Sequence, residues 1–201
     1  EHANYGRAFT RYNRLEQRYK AKLQARELQA AYDSLMSLGR LSLRRLNKPD
    51  VAIAHFSEAR TLAAQIGEPA KEADALVFTA QAQVRRTLYS DAVTTLGQAQ
   101  AIYKKQNMPL AEARTMALTG IAYHHLKNPQ KAVALVGQAD NTVRTVKSDD
   151  RQVKMAVGRT LMAIGSARNL LGETRRAEDA FQEALAAFVS SSDFPEQAQA
   201  L

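Results

Sequence analysis

Two adjacent histidines, His124 and His125, are the residues whose type and spacing most readily suggest chemistry, namely a metal site. Neighbouring side chains on a helix point roughly 100° apart, so the two rings cannot converge on one ion as residues four apart can. Cysteine is absent from the chain, and His2 and His55 are its other histidines, which leaves few ligands for zinc. The sequence therefore predicts no metal site.

Catalytic patterns are missing from the sequence as well. We find no glycine-rich phosphate loop, no nucleophile elbow and no pair of acids in a catalytic arrangement. The absence of cysteine also removes thiolate catalysis and disulfides. We therefore expect a protein that binds rather than an enzyme, without a cofactor.

Positive charge is the second chemical feature, and it is concentrated near the start of the chain. The net charge is +8; residues 1–50 contain 11 Lys/Arg against 5 Asp/Glu, and the remainder contains 17 against 15. Spacings of three, four and seven predict a basic amphipathic helix over residues 1–27, with an arginine face and an aromatic face: Arg7, Arg11, Arg14 and Arg18; Tyr5, Phe9, Tyr12, Tyr19 and Leu23.

Two interpretations of this arginine face remain open. Either it is solvated while the aromatic face packs against the first repeat, or it contacts an acidic partner, nucleic acid or lipid head groups. Four arginines without glycine loops or an exposed aromatic platform are a weak indication of nucleic-acid binding, which we do not expect.

The sequence does not distinguish a cytoplasmic protein from an exported one. No apolar run approaches the roughly 18 residues that a membrane span needs, and no signal peptide is visible. The absence of cysteine suits an exported protein and a cytoplasmic protein equally. A start at Glu1 rather than Met is expected of a processed or excised piece of a longer protein.

The elements that must position these residues recur along the chain. A triplet of small, bulky and small apolar residues appears four times: Ala52, Phe56 and Ala59; Ala92, Leu96 and Ala99; Ala132, Val136 and Ala139; Ala177, Phe181 and Ala184. Successive copies are offset by 40, 40 and 45 residues. A fixed period of this size predicts an array of helix pairs. The five extra residues are expected to lengthen the second helix of the third repeat or its loop.

Proline, glycine and asparagine separate the predicted helices. Asn47 is predicted to cap the helix that begins at Pro49, and Gly67 to end that helix in the left-handed conformation. Residues 190–201 are predicted to start a further or capping helix, and residues 5–46 form one helix or two. Four repeats are predicted, over residues 28–67, 70–107, 110–148 and 151–189.

A family pattern accompanies this period. Twelve residues before the first alanine of each triplet stand Ala80, Gly120 and Gly165, while Arg40 occupies that place in the first repeat beside Gly39. Tyrosines stand at Tyr89 and Tyr123, and a turn glycine at Gly172. Over about residues 28–189 the chain resembles a tetratricopeptide-repeat protein of the long-repeat variety found in kinesin light chains, Rap regulators and maltose-type activators. It departs from that family in having no Trp and in replacing turn glycines by Asn47, Thr87 and Lys127.

This resemblance implies an all-α fold, a right-handed α-solenoid of antiparallel helix pairs, whose concave groove is lined by the first helix of each repeat. Positions flanking the small residue would face the groove: Leu41, Arg44, Arg45, Asp74, Phe78, Gln81, Arg85, Arg114, Leu118, Ile121, His124, His125, Arg159, Met162, Ser166 and Asn169. Arginine, histidine and asparagine interleaved with apolar residues are typical of a groove for an acidic peptide or helix. The alternative is that this is merely the arginine content of any solenoid surface.

Two functions follow from this interpretation. The first is a protein–protein interaction scaffold that binds a partner peptide or helix in the groove. The second is a sensory or regulatory segment of a larger signalling or transcription-regulating protein, in which the basic N-terminal helix relays binding. Exposed solenoid ends would also allow a homo-oligomer.

Overall fold

Eight α-helices form the part of the chain that this computed structural model describes, residues 24–191. Helix α1 covers residues 24–44 and runs unbroken past the predicted boundary at residue 27. The others are α2 (Pro49–Ile66), α3 (Pro69–Arg85), α4 (Tyr89–Lys105), α5 (Pro109–His125), α6 (Pro129–Thr145), α7 (Arg151–Leu170) and α8 (Thr174–Ser191). The predicted arginine and aromatic faces, and nearly all of the predicted capping helix, lie outside the described residues.

Consecutive helices pack against each other in pairs, so the predicted all-α class is confirmed. Their short connections make consecutive helices antiparallel neighbours. Helices α5 and α7 also pack extensively, whereas α3 and α5 touch at few points. None of the helices within residues 24–191 combines the length and the apolar character that crossing a bilayer requires.

The predicted small, bulky and small triplets form the seams between helices. Every member is buried except Phe181, which is half-buried. A Cβ atom on Gly165 would lie 2.6 Å from the Phe181 ring, and one on Gly120 would lie 2.8 Å from Val136. Both separations are too short for real atoms, so these bulky side chains fit only over a glycine.

A residue in the left-handed conformation terminates most helices. Gly67 has φ 77°, which confirms the predicted C-cap, and φ is also positive at Asn47, Thr87, Asn107, Lys127 and Gly172. In the turn at Thr87 the Leu88 N–H donates to the Gln83 carbonyl at 2.9 Å, the hydrogen bond typical of a left-handed C-cap. The prediction that Asn47 caps α2 is wrong, because a left-handed residue cannot adopt the extended conformation of an N-cap.

The turn inside the first helix pair, between α1 and α2, has four residues, whereas the turn inside each later pair has three. Lys48 N–H donates to the Ser42 carbonyl six residues earlier, whereas the equivalent bonds of later turns span five residues. As a result Gly39, and not Arg40, lies under the Phe56 ring. Because one residue rotates a helix by about 100°, Arg40 is turned out of the seam that the sequence pattern assigned to it.

The five extra residues of the last period lie in two places. Helices α3 to α6 each have 17 residues, whereas α7 has 20. The connection 146–150 has five residues, against three between α4 and α5. The predicted longer loop is therefore correct, but the helix that lengthens is α7 and not α6. Asp150 explains why α7 begins at Arg151: as the N-cap residue, it accepts hydrogen bonds from the Gln152 and Val153 N–H groups at 2.8 and 3.0 Å.

Candidate binding groove

A groove of about 1040 Å³ follows one side of the helix array. Its walls come from α1, α3, α5 and α7, joined by Leu96 of α4 and Phe188 of α8. Because consecutive helices are antiparallel, these four alternate helices run in the same direction and present corresponding residues side by side. The groove therefore belongs to the first helix of each pair.

The structure brings most of the predicted groove residues together. Those that line the groove are Arg44, Asp74, Phe78, Gln81, Arg85, Arg114, Leu118, Ile121, Arg159, Met162 and Ser166. Their placement along one concavity is a structural finding, whereas their role in binding stays a prediction.

Five residues of the predicted set do not line the groove: Leu41, Arg45, His124, His125 and Asn169. For α1 the cause is the longer first turn, because Arg44 takes the place that Arg85 has in α3 and Arg45 falls outside. For α5 and α7 the cause is the direction of the groove. It reaches the C-terminal ends of α1 and α3 but only residues 114–121 of α5 and 159–166 of α7, so it crosses the helices obliquely.

Several lining residues were missed by the sequence reasoning, mostly in α1: Tyr32, Asp33, Met36, Arg40, Leu43, Lys71, Val77 and Val84. The α1 residues of this set correspond to α3 residues that stand 41 positions later instead of 40, as with Asp33 and Asp74 or Arg40 and Gln81. The indication in the sequence was Gly39, a small residue one position before the expected one. A shift of one residue at that point would have assigned Arg40 to the groove.

Positive charge dominates the lining. Two acids, Asp33 and Asp74, stand against six cations, Arg40, Arg44, Lys71, Arg85, Arg114 and Arg159. Lys71 pairs with Glu68 at 2.9 Å, whereas the side chains of Arg44, Arg85 and Arg159 have no ion pair or hydrogen bond to other residues of the range 24–191. The surplus of four positive charges favours a negatively charged ligand.

A polar cluster joins α3, α4 and α5 in the groove wall. Asp74 Oδ1 accepts hydrogen bonds from the Tyr103 hydroxyl at 2.7 Å and from Arg114 Nη2 at 3.2 Å. Burial raises the pKa of Tyr103, and the Asp74 charge raises it further, so the phenol stays protonated and donates. Arg114 Nε is buried without a hydrogen-bond acceptor in the described part of the chain.

Apolar side chains lie between the charges. Phe78 stacks on Phe56 with ring centroids 5.4 Å apart, and the Arg40 guanidinium lies 5.5 Å from the Phe78 centroid. Leu118 and Ile121 continue this surface along α5, and Met162 of α7 is 44% exposed. Apolar area bordered by unpaired cations is typical of a surface that binds an amphipathic segment.

The histidine pair lies outside the groove. The His125 ring stacks on Tyr89 with centroids 4.6 Å apart, and His124 meets it edge to face at 5.6 Å. Burial lowers the pKa of His125, and the charges of His124 and Lys127 lower it further. Within residues 24–191 no three His, Asp or Glu side chains are grouped as metal ligands.

Comparison of the chain with models of protein families returned no match, and neither did comparison with curated proteins.

Proposed function

We propose that this chain is a protein-interaction module that binds an acidic, partly apolar segment of a partner protein in the groove between α1, α3, α5 and α7. One observation carries the proposal: Arg44, Arg85 and Arg159 line the groove with no ion pair inside the described range. A guanidinium donates two parallel hydrogen bonds to a carboxylate, which makes unpaired arginines on a concave surface suited to acidic side chains.

The extended shape of the groove favours a polypeptide ligand over a small metabolite. Small-molecule pockets have volumes of about 300–1,000 Å³ and enclose most of their ligand. The volume of this groove, about 1040 Å³, is close to that range, but its lining residues extend over four helices rather than enclosing one pocket. A segment with apolar side chains toward Phe78, Leu118 and Met162 and acidic side chains toward the arginines would satisfy both kinds of surface.

We further propose that the array is a right-handed α-solenoid of the tetratricopeptide type. The 40-residue period supports this assignment, as does the pairing of a small residue with a bulky one sixteen positions later, in Ala80 with Leu96, Gly120 with Val136 and Gly165 with Phe181. Concave grooves of such arrays are interaction surfaces. The alternative of a regulatory segment depends on the arginine face of residues 1–23, which lies outside the described residues.

Selection of the full chain against a random-peptide phage library tests the binding proposal. We expect enriched peptides to combine Asp or Glu with Leu, Ile, Met or Phe. The most enriched sequence, the selected peptide, is then synthesised with a fluorescein label and a C-terminal amide, and its affinity is measured by fluorescence anisotropy. The double variant Arg44→Glu with Arg85→Glu should weaken binding about tenfold or more, because it replaces two attractive charges by two repulsive ones.

The matched control is the double variant Arg45→Glu with Lys105→Glu. It changes the net charge equally, but both residues are exposed and lie outside the groove. We expect the affinity of this variant to stay within about twofold of the wild type, since remote exposed charges are screened by salt. Enrichment of no acidic sequence, or an equal loss in both double variants, would rule out recognition by the groove.

A further inference from the structure

Asp74 and Arg114 form an ion pair in which both partners line the groove. They come from α3 and α5, alternate helices whose bodies touch at few points. The pair therefore spans the groove wall at a place where little apolar packing joins the two helices. Separating the two side chains would leave the packed seams of the array intact.

The guanidinium of Arg114 is only partly used by this contact. Its Nη2 donates to Asp74 Oδ1 at 3.2 Å, which is its one hydrogen bond to residues of the described range, and its Nε has no acceptor there. Arginine can donate two parallel hydrogen bonds to one carboxylate at shorter distances, and that arrangement is stronger. A carboxylate that approaches from the groove could therefore compete with Asp74.

The pair is also accessible to a ligand. The side chain of Asp74 is 46% exposed and that of Arg114 is 20% exposed. Ion pairs in contact with solvent contribute little to the free energy of unfolding, so exchanging one carboxylate for another should destabilise the fold only slightly. Asp74 would keep a partner after the exchange, because the buried Tyr103 hydroxyl donates to it at 2.7 Å.

We propose that Arg114 is the binding residue for an Asp or Glu side chain of the partner segment, and that Asp74 occupies this position in the free protein as an internal competitor. This inference rests on the proposed function and adds which groove arginine binds a carboxylate by exchange. Arg44, Arg85 and Arg159 would attract the segment without such exchange, whereas Arg114 must first release Asp74.

Asp33 provides a matched control for Asp74. It stands 41 residues earlier, at the corresponding place of α1, and also lines the groove. Its carboxylate accepts a hydrogen bond from Gln29 at 2.9 Å and has no ion pair within residues 24–191. Asp33→Asn and Asp74→Asn therefore remove the same charge from the groove, but only the second releases an arginine.

The test measures the affinity of the C-terminally amidated selected peptide for these variants of the full chain. We expect Asp74→Asn to bind it about three- to fivefold more tightly than Asp33→Asn does, as fits the loss of one exposed ion pair. The extra gain should vanish when Arg114→Gln is added to Asp74→Asn. Tyr103→Phe keeps the ring but removes the hydrogen bond that Asp74 retains after the exchange, so it should lower the affinity by a smaller factor.

Equal gains in the two Asn variants, or a gain that persists with Arg114→Gln, would overturn this inference while the proposed function stands. A version of the selected peptide with Asn and Gln in place of its acids should lose the difference between the two variants, and retention of that difference contradicts the inference. Arg114-dependent binding that requires a free C-terminal carboxylate in place of the amide would show that the side-chain assignment is wrong. If no peptide binds any of the proteins, the proposed function fails as well.

Discussion

The first three helix pairs, α1 to α6, and the last pair, α7 and α8, are joined to their neighbours by different means. In the first region a left-handed residue ends one pair and a proline two positions later begins the next, as at Gly67 and Pro69 or Asn107 and Pro109. Before α7 the extended connection 146–150 replaces that turn, and Val146 has φ −89° and ψ 114°. Local backbone conformation therefore positions the first three pairs but not the fourth.

Long-range side-chain contacts position the last pair instead. Arg168 of α7 donates to Asp140 of α6 at 2.9 Å and to the Arg176 carbonyl of α8 at 3.3 Å. The side chains of Arg168 and Asp140 are only 9% and 12% exposed. Thr160 of α7 donates to the Leu110 carbonyl of α5 at 3.1 Å, which accompanies the extensive packing of α7 on α5. Where a short turn is lost, a buried ion pair and a new helix contact fix the orientation.

The largest expected effect on stability comes from breaking the buried ion pair between Arg168 of α7 and Asp140 of α6. Arg168→Met leaves Asp140 buried with Arg144 as its remaining cation, and it should lower the free energy of unfolding by about 3 kcal/mol in a urea titration. Arg144→Ala removes a half-exposed partner of the same carboxylate and should cost less than about 1 kcal/mol. Adding Asp140→Leu to Arg168→Met should restore much of the loss. If Arg168→Met and Arg144→Ala lower the free energy of unfolding equally, the buried pair does not fix the position of the last helix pair.

Glycine substitutions in a left-handed turn, here the one inside the second pair, and in the extended connection should have opposite signs. Thr87 has φ 62°, so Thr87→Gly removes strain and should raise the free energy of unfolding by about 1 kcal/mol. Val146 has an ordinary extended conformation, so Val146→Gly should lower it by about 1 kcal/mol through the entropy of the unfolded chain. Urea titrations of both variants check this difference. A loss of stability in Thr87→Gly would mean that its side-chain contacts outweigh the backbone strain.

The smallest expected effect is a pH dependence confined to the first region, because the last pair contains no histidine. Burial holds the pKa of His125 below its unfolded value of about 6.5, so protonation costs more in the folded state than in the unfolded chain. This residue therefore does not affect stability well above pH 6.5, and it destabilises the fold progressively as the pH falls below that value. Urea midpoints at pH 7.5 and 5.5 should differ more for the wild type than for His125→Gln. An identical pH dependence in the variant would assign the effect to other groups.

Much of the fold could be predicted because it is encoded over short distances. The alanine triplets that mark the period, such as Ala92, Leu96 and Ala99, are the buried residues of the seams. Half of the groove residues of α3, and Arg114, Leu118 and Ile121 of α5, could be predicted too, since those helices follow the regular period. Most groove residues of α1 could not be assigned, because one additional residue in the turn after α1 rotates the whole helix relative to the pattern.

The sequence by itself determined the helices of residues 24–191, their pairing and the places where most turns fall, because helix periodicity and turn chemistry depend on neighbouring residues. Only the tertiary structure decided that Arg40 enters the groove and Arg45 does not, that α7 packs on α5, and that Asp74 meets Arg114. These outcomes depend on rotations of about 100° per residue and on contacts between residues 40 or more positions apart, which spacing along the chain does not specify.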